Sequence, residues 1–213
     1  MSLVNSFLLI IIKSIIIFFL CFSIAYSSGI KNSATVFMYH KFGISKYPST
    51  SVTIDQLDSH IEELIKNKYS IKPLEFIIDT IINDGVLPDN TIGISVDDAD
   101  RSFLDKAWPK FKKHNIPVTL FVTTGTISNK NKNYLNWDEI RQLKNEGVAI
   151  GAHSHTHPHM PDLSIEEIKK EIETSNKIFL NELGEIPDLY AHPYGEASKE
   201  IFDLIKNYKF KVA

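Results

Sequence analysis

Two histidines four residues apart, His153 and His157, and two adjacent aspartates, Asp97 and Asp98, are the residues of this chain best suited to chemistry. They sit in the strings Ile94-Ser95-Val96-Asp97-Asp98 and Gly151-Ala152-His153-Ser154-His155-Thr156-His157-Pro158-His159. An imidazole pair plus one carboxylate fills three positions around a divalent cation such as zinc. The fourth is left open, where a water is acidified towards neutrality. That is a donor set for hydrolysis. Neighbouring residues at a strand end point in different directions, which suits one aspartate to the metal and the other to the attacking water. The single cysteine, Cys21, falls in an apolar leader, so a mature domain without it has no thiolate and no disulfide. The metal must be held by His, Asp or Glu, a set that takes zinc and also cobalt, nickel or ferrous iron.

Each feature has a plainer reading. Paired aspartates after a strand are often turn or helix-cap residues. A His-rich loop can be a surface tract with adventitious metal affinity, and Pro158 and Pro161 exclude a regular helix interior there. His155 and His159 are the bystanders of that loop. Tyr39-His40 at the end of the first strand reads first as a packed core pair rather than a reacting one. What outweighs these readings is that the candidate groups fall together at three strand ends.

The elements that must position them alternate along the chain. Ala34 to Tyr39 reads as a strand, and Thr53, three residues before Gln56, caps a helix with the apolar stripe Ile54, Leu57, Ile61, Leu64 and Ile65. A helix over Leu74 to Ile82 stops at Gly85, and Ile92, Ile94 and Val96 form a strand running into the aspartates. Arg101 to Lys113 is helical, with Pro109 expected to kink it or shift its start. Val118 to Val122, Val148 to Ala152 and Leu189 to Ala191 are strands, while Asn136 with Glu139 and Ser164 with Glu167 open helices by capping-box spacing. Such alternation argues for parallel strands covered by helices, hence a doubly wound sheet or a (β/α) barrel. Asp97-Asp98, His153 and His192-Pro193-Tyr194 all fall where a strand ends, and in barrels the site gathers at the C-terminal mouth of the strands. The barrel is the expected fold.

Composition bounds the partners. Acidic residues outnumber basic ones, 26 to 23, with no long basic run, so nucleic acid is not an expected partner. Phe7 to Ile12 and Ile15 to Ile24 are almost purely apolar, and Ala25-Tyr26-Ser27 offers a small-x-small cleavage step before Ser28. Residues 1–27 therefore read as a signal peptide, or as an uncleaved anchor that would be the chain's one tie to a membrane; residues 28–213 read as the domain. Export to the cell envelope or beyond is the expected localisation. Cys21 follows Leu20 rather than a small residue, which argues against a lipoprotein.

These motifs resemble the polysaccharide deacetylases of the NodB-homology type, carbohydrate esterase family 4. Ser95-Val96-Asp97-Asp98 resembles the first family motif, normally Thr, aromatic, Asp, Asp. His153-Ser154-His155-Thr156-His157 matches the second at its full spacing, and Pro193-Tyr194-Gly195 matches the third. Met38-Tyr39-His40-Lys41-Phe42 and Tyr47-Pro48-Ser49-Thr50 look most like the branch that includes poly-N-acetylglucosamine deacetylases. The resemblance runs from about Ser33 to the last residue. It implies a distorted (β/α) barrel, a metal held by Asp98, His153 and His157, Asp97 as the base, and the Tyr194 backbone N–H as an oxyanion donor. Pro193, Tyr194, His192 and His40 would contact the substrate, an N-acetylated glycan that would yield acetate and a free amino sugar.

The chain also departs from the family. Tyr190-Ala191-His192 stands where the third motif often carries an arginine. The acidic-Trp segment that orients the base and the Leu-x-His segment whose histidine protonates the leaving amine have no counterpart before Ala213, which reads as lying inside an unfinished strand. The domain is thus expected to be incomplete at its C-terminus, with His192 a weak substitute acid. The alternative is a catalytically inactive carbohydrate- or metal-binding remnant of the same fold; an amidohydrolase acting on small amides in a closed pocket is a third reading.

Overall fold

In the computed structural model, residues 32–127, 131–208 and 210–211 are described. The expected leader over residues 1–27, Cys21 included, and the last two residues lie outside them. Ala34–Ala213 is one compact unit.

The expected alternation is present: β1 (Ala34–Tyr39), β2 (Lys41–Phe42), β3 (Ser51–Val52), α1 (Ile54–Lys66), β4 (Ser70–Ile71), α2 (Leu74–Ile82), β5 (Thr91–Val96), α3 (Trp108–Lys113), β6 (Thr119–Val122), α4 (Trp137–Asn145), β7 (Ala149–Ala152), α5 (Ile165–Leu183) and α6 (Lys199–Lys206). Three helices start where the capping-box spacing places them. Thr53, Asn136 and Ser164 each accept from the backbone N–H three residues on, and Gln56, Glu139 and Glu167 reach back. Along α1, Leu57, Ile61 and Leu64 turn inward, while Ile65 stays 45% exposed at the stripe's edge. Pro109 has the effect expected of it: Phe103–Ala107 is a π-helical turn, the Trp108 N–H reaches back to the Phe103 carbonyl, and α3 starts afresh with Pro109 in its first turn. A proline lacks an N–H, and the first turn is where a helix needs none.

All strand pairings of the main sheet are parallel, with the order β1-β5-β6-β7 and β4 also pairing with β5. β5 runs through the middle with all six residues buried, as a strand covered on both faces requires. The strand expected over Leu189 to Ala191 is shorter than its sequence promised. It makes one parallel bridge, Tyr190 to Ala152, with hydrogen bonds of 2.8 and 2.9 Å on either side. The unfinished strand expected at the chain's end is likewise not formed at Phe210 and Lys211, where the Lys211 N–H donates to the Asp188 carbonyl at 2.8 Å. Aromatic rings fill the space below the β1 and β5 ends: Tyr39, Phe42, Phe103 and Phe111 meet with centroids 5.6 to 6.4 Å apart. Among the described residues no helix is long and apolar enough to cross a membrane.

Candidate active site

Parallel strands deliver their C-terminal ends to one side of the sheet, and the chemical groups sit there. Asp97 and Asp98 follow β5, His153 follows β7, and Pro193-Tyr194-Gly195 follows the Tyr190 bridge as a single 3₁₀ turn. The turns that carry them are sharp. Asp98, Ala99, Ser154, His157 and Tyr194 all have positive φ, between 57° and 71°. Non-glycine residues seldom adopt this conformation, and held strain of this kind gathers at functional sites.

Asp98, His153 and His157 present ligand atoms that all lie within 4.8 Å of one another. His153 Nε2 is 3.2 Å from His157 Nε2, and the two nitrogens lie 3.8 and 3.6 Å from Asp98 Oδ1. Donors about 2.0–2.2 Å from one tetrahedral ion stand roughly 3.3–3.6 Å apart, so this set fits a zinc-sized cation. His153 is prepared for it. Its Nδ1 lies 2.8 Å from the Ala191 carbonyl, so the ring is held with Nδ1–H donating and Nε2 carrying the lone pair. Burial, opposed by that hydrogen bond, pushes its pKa down to about 4, which keeps the ring neutral at physiological pH.

Asp97 stands differently. It is 4% exposed, and its Oδ1 has no hydrogen-bond partner among the described residues. Burial first, then the neighbouring charge of Asp98, pushes its carboxyl up to about 7. A carboxyl with that value is matched to proton transfer near neutrality.

The remaining candidates divide. His155 Nδ1 turns to Thr124 Oγ1 at 3.0 Å, and His159 Nδ1 to Glu196 at 2.8 Å, so neither joins the triad. Tyr194 packs its ring 4.5 Å from His157 and stacks on His159 at 3.9 Å, and its backbone N–H has no acceptor among the described residues. The core reading of Tyr39-His40 is half right. Tyr39 is buried and bonds His60 at 3.0 Å, but His40 lies close enough to the triad to feel the charges of Asp98 and His157, while burial lowers its pKa. His192 instead packs against Tyr190 and Phe202, with both ring nitrogens buried and unpartnered. Burial lowers its pKa too, which disfavours the protonated ring a general acid needs.

Sequence reasoning missed the groups that hold the histidine loop. Glu171 on α5 accepts from the His155 N–H at 3.0 Å, the Thr156 N–H at 2.7 Å and Thr156 Oγ1 at 2.8 Å. The Ser154 hydroxyl accepts from the His157 N–H at 3.0 Å, closing the turn that brings His157 back over His153. The signal for Glu171 was an acid lying on the inward stripe of Ile168, Ile172 and Ser175. Gly125 closes the loop from the other side: its N–H donates to the His155 carbonyl at 2.8 Å, and a Cβ there would stand 2.5 Å from that same oxygen.

Comparison with known proteins agrees with this geometry. The profile of the polysaccharide deacetylase family matches residues 84–213, and the chain belongs to that family. It is 26% identical over 185 residues to the poly-beta-1,6-N-acetyl-D-glucosamine N-deacetylase of Staphylococcus aureus strain MRSA252, covering 80% of this chain and 62% of that protein. It is 29% identical over 106 residues to the peptidoglycan-N-acetylglucosamine deacetylase of Bacillus cereus, 49% of this chain and 36% of that one. Its fold is shared with the Streptococcus pyogenes deacetylase PplD at a TM-score of 0.76 and 18% identity, over 84% of this chain and 81% of the other. The fold is thus the distorted (β/α) barrel of the NodB type. The chain spans 62% of the length of the first of these two curated relatives and 36% of the second.

Proposed function

We propose that this protein is a metal-dependent hydrolase that removes N-acetyl groups from an amino-sugar polysaccharide, poly-N-acetylglucosamine-like or a cell-wall glycan. The observation that carries the reading is the pairing of a zinc-spaced Asp98-His153-His157 set with a buried aspartate beside it whose pKa stands near 7. A divalent cation held by those three residues, zinc in this reading, would supply Lewis-acid charge for a carbonyl oxygen and make a nearby water easier to deprotonate. Asp97 accepts the proton of the water that attacks the acetamide carbon. The Tyr194 N–H, which has no other acceptor among the described residues, donates to the oxygen on which negative charge develops. The C–N bond then breaks, acetate leaves, and the sugar nitrogen departs as an amine once it has been protonated. His40, beside the triad, and the exposed Tyr194 contact the sugar, and the buried Pro193 shapes the turn that presents Tyr194. The leader over residues 1–27 takes the protein out of the cytoplasm, to the envelope or beyond, where such polymers lie.

The test is acetate release by the purified protein from β-1,6- and β-1,4-linked N-acetylglucosamine oligomers and from peptidoglycan, each with zinc, cobalt, nickel or ferrous iron. Release from at least one polymer, abolished by a chelator and restored by metal, is the expected result. Metal binding without release from any of them would favour the inactive remnant of the fold.

A further inference from the structure

The site has a neighbour of opposite character. A cleft of about 380 Å³ opens beside Asp98, within the size range of small-ligand pockets. Lys41, Lys46, Lys106 and Lys132 line it together with Tyr47 and Tyr134. Lys41 links the two places, its Nζ lying 4.0 Å from Asp98 Oδ2.

The cations of this cleft are mostly without counter-charge. Lys46, Lys106 and Lys132 form no ion pair among the described residues. Lys106 is instead aimed by a 3.0 Å hydrogen bond to the Gly43 carbonyl, which leaves its charge uncompensated. Tyr47 gathers two ammonium groups, Lys41 at 5.3 Å and Lys46 at 5.4 Å from its ring centroid. Arg101, also in the lining, is engaged by both oxygens of Glu139, at 2.6 and 2.9 Å. Of the two acids in the lining, Asp100 accepts from the Ser102 N–H and hydroxyl while keeping its charge, and Asp105 is the other. Four lysines thus face two carboxylates in the lining, in a chain whose net charge is -3. A positive cleft in an acidic protein concentrates an anion.

We propose that this cleft is an anion subsite, which takes a carboxylate or phosphate carried by the glycan on a sugar next to the acetamide. Placing that acetamide at Asp98 rests on the deacetylase reading; the subsite itself rests on the charges and shape of the cleft. The cleft disfavours a strand whose neighbouring sugars already carry free ammonium groups. Deacetylation along one chain would therefore be spaced rather than continuous.

Calorimetry on the full chain tests it with four tetrasaccharides of equal length: neutral N-acetylglucosamine, the alternating N-acetylmuramic acid oligomer with its carboxylates, a phosphorylated N-acetylglucosamine oligomer, and one with free amines. The anionic oligomers should bind at least tenfold tighter than the neutral one at low salt, and the amine-bearing one weakest. The tighter of the two anionic oligomers identifies the source of the charge. The double variant K46Q/K132Q should lose about fivefold per lysine on the anionic oligomers only, the upper end for an exposed pair. Equal affinities for neutral and anionic oligomers, a preference that survives in the double variant, or no binding at all would overturn the subsite. Acetate release from the neutral oligomer reads the deacetylase assignment separately, and should be the same in K46Q/K132Q as in the parent.

Discussion

Asp97 is the residue on which chemistry and stability meet. Its folded pKa of about 7 lies above the ordinary 3.8, so the folded chain holds that proton more tightly than the unfolded one does. Stability from this group is full below about pH 4 and lost as pH rises through 7, amounting to at most about 4 kcal/mol in the metal-free protein. His153, pushed down to about 4, works in the opposite sense, losing stability as pH falls from 6.5 through 4. Asp97→Asn isolates the aspartate: urea unfolding of the metal-free variant should show a smaller loss between pH 5 and pH 8 than the parent. Equal losses would mean that the carboxyl is not held protonated by burial. Around the metal the expectation is equally specific. Each bound cation needs both triad imidazoles, so His153→Ala and His157→Ala should lose stoichiometric metal, whereas His155→Ala and His159→Ala keep it, as elemental analysis would read. Loss in all four would point to an unspecific histidine tract.

Elements decide how well those residues are held. The histidine loop is pinned by α5 through Glu171 and abuts the Gly125 turn, so its shape depends on groups that are not metal donors. Glu171→Gln keeps one acceptor for the three donors and should weaken metal affinity by about 10- to 100-fold, the range for outer-shell partners, with little change in fold. Gly125→Ala presses a methyl against the His155 carbonyl and should do the same; unaltered affinity in both would show that the loop holds its own shape. Helix starts were legible because each rests on a local rule, a Thr, Asn or Ser with Gln or Glu three residues later. The donor set was legible because its residue types are rare in combination and lie at strand ends. Glu171 was hidden because its place on the inward stripe of α5 marks partial burial and not the loop it clamps, which only the tertiary fold brings to it. Leu189 to Ala191 looked like a strand by composition, yet pairing depends on a partner, and only Ala152 meets it. The fate of His40 was equally a tertiary matter: it neighbours Tyr39 in sequence, but β1 ends between them, and Tyr39 is buried in the core while His40 feels the charges of Asp98 and His157.

At the scale of the whole domain, one edge of the sheet is open among the described residues. Among the described residues β1 pairs only with β5, and Val36, Phe37 and Met38 are 45%, 36% and 62% exposed along it. An apolar edge strand invites pairing with another chain, and a lysine on such an edge opposes it. Met38→Lys should therefore reduce self-association in light scattering without changing metal content, and unchanged scattering would locate the association elsewhere. The strand ends on the other side of the question carry the central claim, that a metal-holding triad and a separate buried base together cleave an acetamide. Its most direct test is acetate release by metal-loaded Asp97→Asn beside the parent, on whichever N-acetylglucosamine polymer the parent turns over. The account predicts one metal per chain in both proteins and a rate at least ~10²-fold lower in the variant. An undiminished rate with metal in place would contradict it.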